Sequence, residues 1–157
     1  MSRVDYFNDP NAPAANSVVP SVTAIVRDQA GRLLLIHKTD NDLWALPGGG
    51  HDIGEDVATT VIREVEEETG IRVEVESVSG LYTDPRHVMA YDDGEVRQQF
   101  SICFRARPVS GELRTSSESK EVRWVNLSQL ENLEIHPSMR LRITHGLDDS
   151  RTDPYIG

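Results

Sequence analysis

Basic residues are scarce in this 157-residue chain: 16 Lys and Arg stand against 26 Asp and Glu, a formal net charge of −10. With no basic stripe, the chain is a poor electrostatic partner for a nucleic-acid backbone or an anionic membrane surface. No apolar run approaches the ~20 residues of a membrane span. The first residues, MSRVDYFNDPNAPAANS, hold no apolar stretch of the kind a secretory signal carries. A lone cysteine, Cys103, rules out an intramolecular disulfide. Set in the apolar run FSICF, it reads as a small buried residue, and the expected setting is the cytoplasm. No Gly-Lys-Ser/Thr follows the glycine-rich stretch and no G-x-G-x-x-G occurs, so neither a P-loop nor a dinucleotide fingerprint is present.

What is present is enough for one folded domain, with 38% apolar and 27% charged residues. Residues 1–16, with NDPNAP at their centre, read as an extended N-terminal arm laid on the domain or on a second subunit. Two apolar runs, SVVPSVTAIV and LLLIHK, flank the turn RDQAGR and predict a hairpin. Residues 41–54 hold four of the eleven glycines and form a loop. Residues 56–69 carry Val57, Ala58, Val61, Ile62 and Val65 at helical spacing, with Gly70 as the stop. Beyond it, residues 71–82 alternate as a strand, Asp92-Asp93-Gly94 marks a turn, and QFSICFRA and EVRWV read as further strands. LSQLENL and HPSMRLRITH read as helices, the second with Pro in its first turn. The domain is expected to span 17–147, with 148–157 a frayed polar tail. This irregular order implies an α/β fold around a mixed sheet rather than a doubly wound parallel one.

The helix ends in Arg63-Glu64-Val65-Glu66-Glu67-Glu68-Thr69-Gly70. At ~100° per residue, Glu64, Glu67 and Glu68 share one flank beside the apolar stripe, and Glu66 turns away from them. Like charges at these spacings repel by ~0.2–0.5 kcal/mol per pair. The last turns of a helix also disfavour anions by ~0.3–1 kcal/mol each. Converging carboxylates at this local expense are what Mg²⁺ or Mn²⁺ requires, although a solvated acidic face has the same composition. Seven acids and one base lie between Gly49 and Ile71, so this stretch carries −6 of the total −10.

Spacing narrows the choice. Gly49, Glu55, Arg63-Glu64, Val65-x-Glu67-Glu68-x-Gly70-Ile71, preceded by Trp44-Ala45-Leu46-Pro47-Gly48, matches every defined position of the Nudix box, and the chain resembles a Nudix hydrolase. The resemblance implies an α/β/α sandwich and divalent-metal-dependent hydrolysis of a nucleoside diphosphate linked to another group. It implies metal ligation by Glu64, Glu67, Glu68 and the Gly48 carbonyl, an orienting role for Arg63, and a contact of Glu55 with Arg63 or a water. In this family the general base is either Glu64 or a glutamate on a later loop; Glu118 is the favoured loop candidate here and Glu121 the second. Pro85, fifteen residues past Gly70, leans towards an ADP-ribose-type substrate, with Tyr82, Arg86 and His87 as candidate substrate contacts. Trp44 and Trp124 are read as core residues. A triphosphate pyrophosphohydrolase and a non-catalytic nucleotide sensor are the competing readings, and a homodimer is an expectation of the family.

Overall fold

The computed structural model describes residues 3–157; Met1 and Ser2, the first residues of the expected arm, lie outside the described residues. A five-stranded mixed sheet forms the centre, in the order β11 (Tyr155–Ile156), β6 (Ile71–Tyr82), β9 (Ser101–Gly111), β2 (Ser21–Val26), β5 (Gly48–Gly50). Two three-stranded sheets flank it. One orders β10 (Ser119–Val125), β3 (Leu33–Lys38) and β4 (Trp44–Ala45), and the other orders β1 (Arg3–Phe7), β7 (His87–Tyr91) and β8 (Val96–Gln98).

Strand β2 explains the layering. Its residues Val22, Ala24 and Val26 join Val61 and Val65 of helix α1 (Val57–Thr69) in one core. Ile25, between them, joins Ile143 of helix α2 (Pro137–Leu147) in a second core with Leu33, Leu35 and Cys103. Alternate side chains of one strand thus feed opposite faces, and a strand buried on both faces reads as the unbroken apolar run seen in the sequence. The result is a helix–sheet–helix sandwich, as expected. Each of the larger aliphatic side chains contributes ~1.5–3 kcal/mol by leaving water.

The expected β2–β3 hairpin does not form. Both edges of β2 are taken, by β5 antiparallel and β9 parallel, so β3 turns away and pairs with β10 and β4. A single bridge, Arg27 to Leu33, is all that remains of the hairpin. The described part of the arm lies on the domain: Arg3–Phe7 is an edge strand of its sheet, antiparallel to β7 with Arg3 opposite Tyr91. The tail is not frayed. Tyr155 and Ile156 pair in parallel with Gly80 and Leu81, and the Tyr155 ring stacks on Tyr82 at 5.1 Å. Aromatic packing and ladder bonds hold a segment whose composition alone reads as polar.

Helix α1 is set as its sequence dictates. The Asp56 carboxylate accepts the Thr59 backbone N–H at 2.8 Å, closing the N-terminus. Gly70 adopts φ +81° at the C-terminal end, where its N–H reaches the Glu66 carbonyl at 2.9 Å. Glu66 points away from the other glutamates and pairs with Arg72 at 3.3 Å.

Candidate active site

Four carboxylates gather round one guanidinium. Arg63 donates from Nε and Nη2 to both oxygens of Glu55 at 2.7 and 2.9 Å, a bidentate pair. Its Nη1 donates to Glu64 at 2.9 Å and to Glu67 at 3.2 Å, and Asp52 lies 3.2 Å from Nη2. The hydrogen bonds from Arg63 hold the Glu55 carboxyl down to about 2, and the same bonds raise Arg63 above its already high ordinary value.

Glu68 lies outside this cage. It is 4% exposed, it accepts the Gly48 N–H at 3.3 Å, and its carboxyl is hydrogen-bonded to that of Glu64. Burial, then the charges of Glu64 and Glu118, push its carboxyl up to about 9. Burial also raises Glu64. Glu118 is therefore close enough to act on Glu68 although it comes from the far loop before β10, whereas Glu121 turns to Arg123 at 2.5 Å. Gly48, Gly49, Gly50, Glu68 and Glu118 line a cleft of about 460 Å³. A Cβ at Gly49 would overlap the Glu64 carboxyl, so a glycine there is what admits Glu64 to the loop. Gly49→Ala is expected to cut turnover at least tenfold with an unchanged circular-dichroism spectrum.

Among the described residues no three His, Cys, Asp or Glu side chains are gathered as a metal-holding group. Arg63 holds Glu64 and Glu67 by hydrogen bonds instead. The donor set nonetheless fits a hard divalent cation. Glu68, a buried carboxyl without a cation partner among the described residues, lies beside a second carboxyl and a third across the cleft, all oxygen donors.

A family model described as the NUDIX domain matches residues 18–145. The chain is 41% identical over 123 residues to a MutT-like protein of Streptomyces ambofaciens, covering 76% of this chain and 72% of that one. The chain belongs to the Nudix family. It is also 33% identical over 109 residues to an ADP-ribose pyrophosphatase of Methanocaldococcus jannaschii, covering 68% of this chain and 61% of that protein. A solved ADP-ribose pyrophosphatase from Streptococcus suis shares the fold at TM-score 0.70 and 22% identity, covering 90% of this chain and 100% of that one. Nudix hydrolases use divalent metals.

Of the expected substrate contacts of this Nudix hydrolase, only His87 lines the cleft. Tyr82 does not: it is 3% exposed in the core beneath α2, with its hydroxyl 2.8 Å from His145 Nδ1. The alternation of β6 carries it to that face. Arg86 does not either; it is clamped by Asp84 at 2.9 Å in a shallow groove against residues of the N-terminal arm. Trp44 packs in the second core and stacks on His37 at 4.8 Å.

Sequence reasoning missed the opposite wall of the cleft, formed by Arg3, His136, Met139 and Arg142. Only the Pro at the start of α2 hinted that this helix would begin near anything functional. His87 and His136 stack at 4.9 Å. Burial first, then the neighbouring His136, lowers His87 to about 4, and burial lowers His136 as well. Imidazoles depressed in the fold take up protons in the unfolded chain first, starting near the ordinary value of ~6.5. Stability is therefore expected to fall as pH drops from about 6.5 towards 4, read as a falling melting temperature that is shallower in His87→Gln.

Proposed function

We propose that this Nudix hydrolase cleaves the diphosphate of a nucleoside diphosphate linked to a sugar, with ADP-ribose as the leading substrate and Mg²⁺ or Mn²⁺ as the metal. The observation that carries the reading is Glu68: buried, without a cation partner among the described residues, and facing Glu64 and Glu118 in a cleft sized for a nucleotide. The identity to the Methanocaldococcus pyrophosphatase supports the substrate class, which remains part of the proposal.

The Gly48 carbonyl, Glu64, Glu67 and Glu68 would hold the metal. When bound, a divalent cation neutralises diphosphate oxygens and favours ionisation of an attacking water. The remaining tasks fall to this chain's own side chains. Glu118, exposed on its loop and facing the carboxylate cluster, takes the proton of the attacking water as general base. Arg63 keeps Glu55 and Glu64 in fixed orientations through four hydrogen bonds shared among Glu55, Glu64 and Glu67. A cytoplasmic setting agrees with the single buried thiol. A homodimer is also part of the reading, with the outer edge of β1 as its contact.

Product analysis on a panel of nucleotides tests the reading. AMP and ribose 5-phosphate from ADP-ribose are expected. A nucleoside monophosphate with pyrophosphate, released from triphosphates at higher kcat/KM, would replace it with the triphosphate reading. No turnover of any member with Mg²⁺ or Mn²⁺ present would put a sensor role ahead.

A further inference from the structure

The cleft has an inner end where the glutamates are replaced by buried donors. Arg142, on α2, is 5% exposed. Its Nη1 meets only the Met139 sulfur at 3.5 Å, its guanidinium lies 5.2 Å from the centre of the Tyr82 ring, and its Nε has no hydrogen-bond partner. The other cations lining the cleft are each neutralised: Arg3 by Asp5 at 3.1 Å, Lys38 by Asp40 at 3.6 Å and Arg97 by Glu95 at 2.9 Å. Among the described residues no carboxylate does this for Arg142; the groups acting on its charge are Cys103, Tyr82 and Arg3. A guanidinium stays charged at any pH proteins survive, so this is a buried charge without a counter-charge.

A second buried donor faces the same space, and its proton can be placed. The Asp84 backbone N–H donates to Gln99 Oε1 at 2.9 Å, which fixes that amide. Gln99 Nε2 then donates to His87 Nδ1 at 3.2 Å, so the His87 proton sits on Nε2. His87 is 6% exposed and its Nε2 has no partner. The buried Ser101 hydroxyl also lacks a partner. All three residues line the cleft; Asp5, paired with Arg3 at 3.1 Å, lines it too and raises His87, whereas Arg142 lowers it.

We infer that this inner end is an oxyanion subsite, in which Arg142, the His87 Nε2–H and the Ser101 hydroxyl receive a phosphate monoester or carboxylate. A neutral acceptor, such as a base carbonyl, would satisfy the hydrogen bonds but leave the guanidinium charge uncompensated. Resting on the hydrolase reading, the oxyanion belongs to a phosphate-monoester product such as ribose 5-phosphate, or to a substrate with an anionic group beyond its diphosphate, which ADP-ribose lacks.

Binding to the metal-free protein tests this without turnover. Inorganic phosphate and acetate are titrated separately at constant ionic strength, with the histidine side-chain ¹⁵N resonances as readout. Saturable shifts of His87 with at least one anion are expected, weakened at least tenfold in Arg142→Met and unchanged in Arg86→Met. Tighter phosphate binding identifies a phosphate monoester, and tighter acetate binding a carboxylate. Absence of a saturable shift with either anion, or equal affinity in Arg142→Met, overturns the subsite. Should Arg142→Met not fold, Ser101→Ala replaces it: a threefold or greater weakening supports the subsite and unchanged affinity overturns it. A substrate panel without turnover would remove the hydrolase reading while leaving this binding result standing.

Discussion

Glu68→Gln is expected to lower kcat by at least about 100-fold, or ~2.7 kcal/mol of transition-state stabilisation, while the melting temperature of the metal-free protein holds or rises. The two effects have one cause. In the folded chain this carboxyl is buried against Glu64, to which it is hydrogen-bonded, and across from Glu118, with the Gly48 N–H as its backbone partner. Such a group is held against desolvation and like-charge repulsion, and a neutral amide of the same shape relieves both. Function loses a charged oxygen donor for the metal; the fold loses a source of strain. Steady-state kinetics with Mg²⁺ and thermal melts in chelator separate them. Activity near that of the wild type would remove Glu68 from the metal set. Glu67→Gln is the companion variant: its carboxylate is exposed and tied only to Arg63, so activity should fall with little change in melting.

Gly70→Ala is the largest expected loss of stability, roughly 2–4 kcal/mol. Two terms add. The residue sits at φ +81°, where a Cβ is disfavoured by roughly 1–2 kcal/mol. That Cβ would also overlap the Glu112 carbonyl, a backbone atom that cannot swing aside. Gly94→Ala separates the terms, since Gly94 has φ +91° with open space around it and should show the conformational term alone. Urea denaturation of both variants checks this; equal midpoints would mean that the chain beyond β9 yields to the added methyl.

The helix carrying the carboxylates was readable because its determinants are local. Asp56, the apolar stripe and Gly70 lie within fifteen positions, and the 3.6-residue period alone separates Glu66 from Glu64, Glu67 and Glu68. The two-faced burial of β2 left a visible trace too, as a run without polar alternation. The rest depended on pairings between distant residues. Nothing near β2 or β3 in sequence says that β9 and β5 will occupy both edges of β2. Nothing in a polar tail says that Tyr155 will find Tyr82. The core position of Tyr82 is not legible either, because sequence position relative to the box places a residue along β6 but not on one face of it. Arg142 was invisible for a related reason: a buried arginine reads like any helix arginine until its surroundings are known to lack an acid.

Arg63 gives the site a resident counter-ion. By holding Glu55, Glu64, Glu67 and Asp52 at once, it lets a strongly acidic corner fold before any metal is present. With the proposed ligand set, loading the metal would be an exchange rather than a filling: the cation would compete with a tethered guanidinium for Glu64 and Glu67. Competition of this kind loosens metal affinity in return for independence of folding from metal supply.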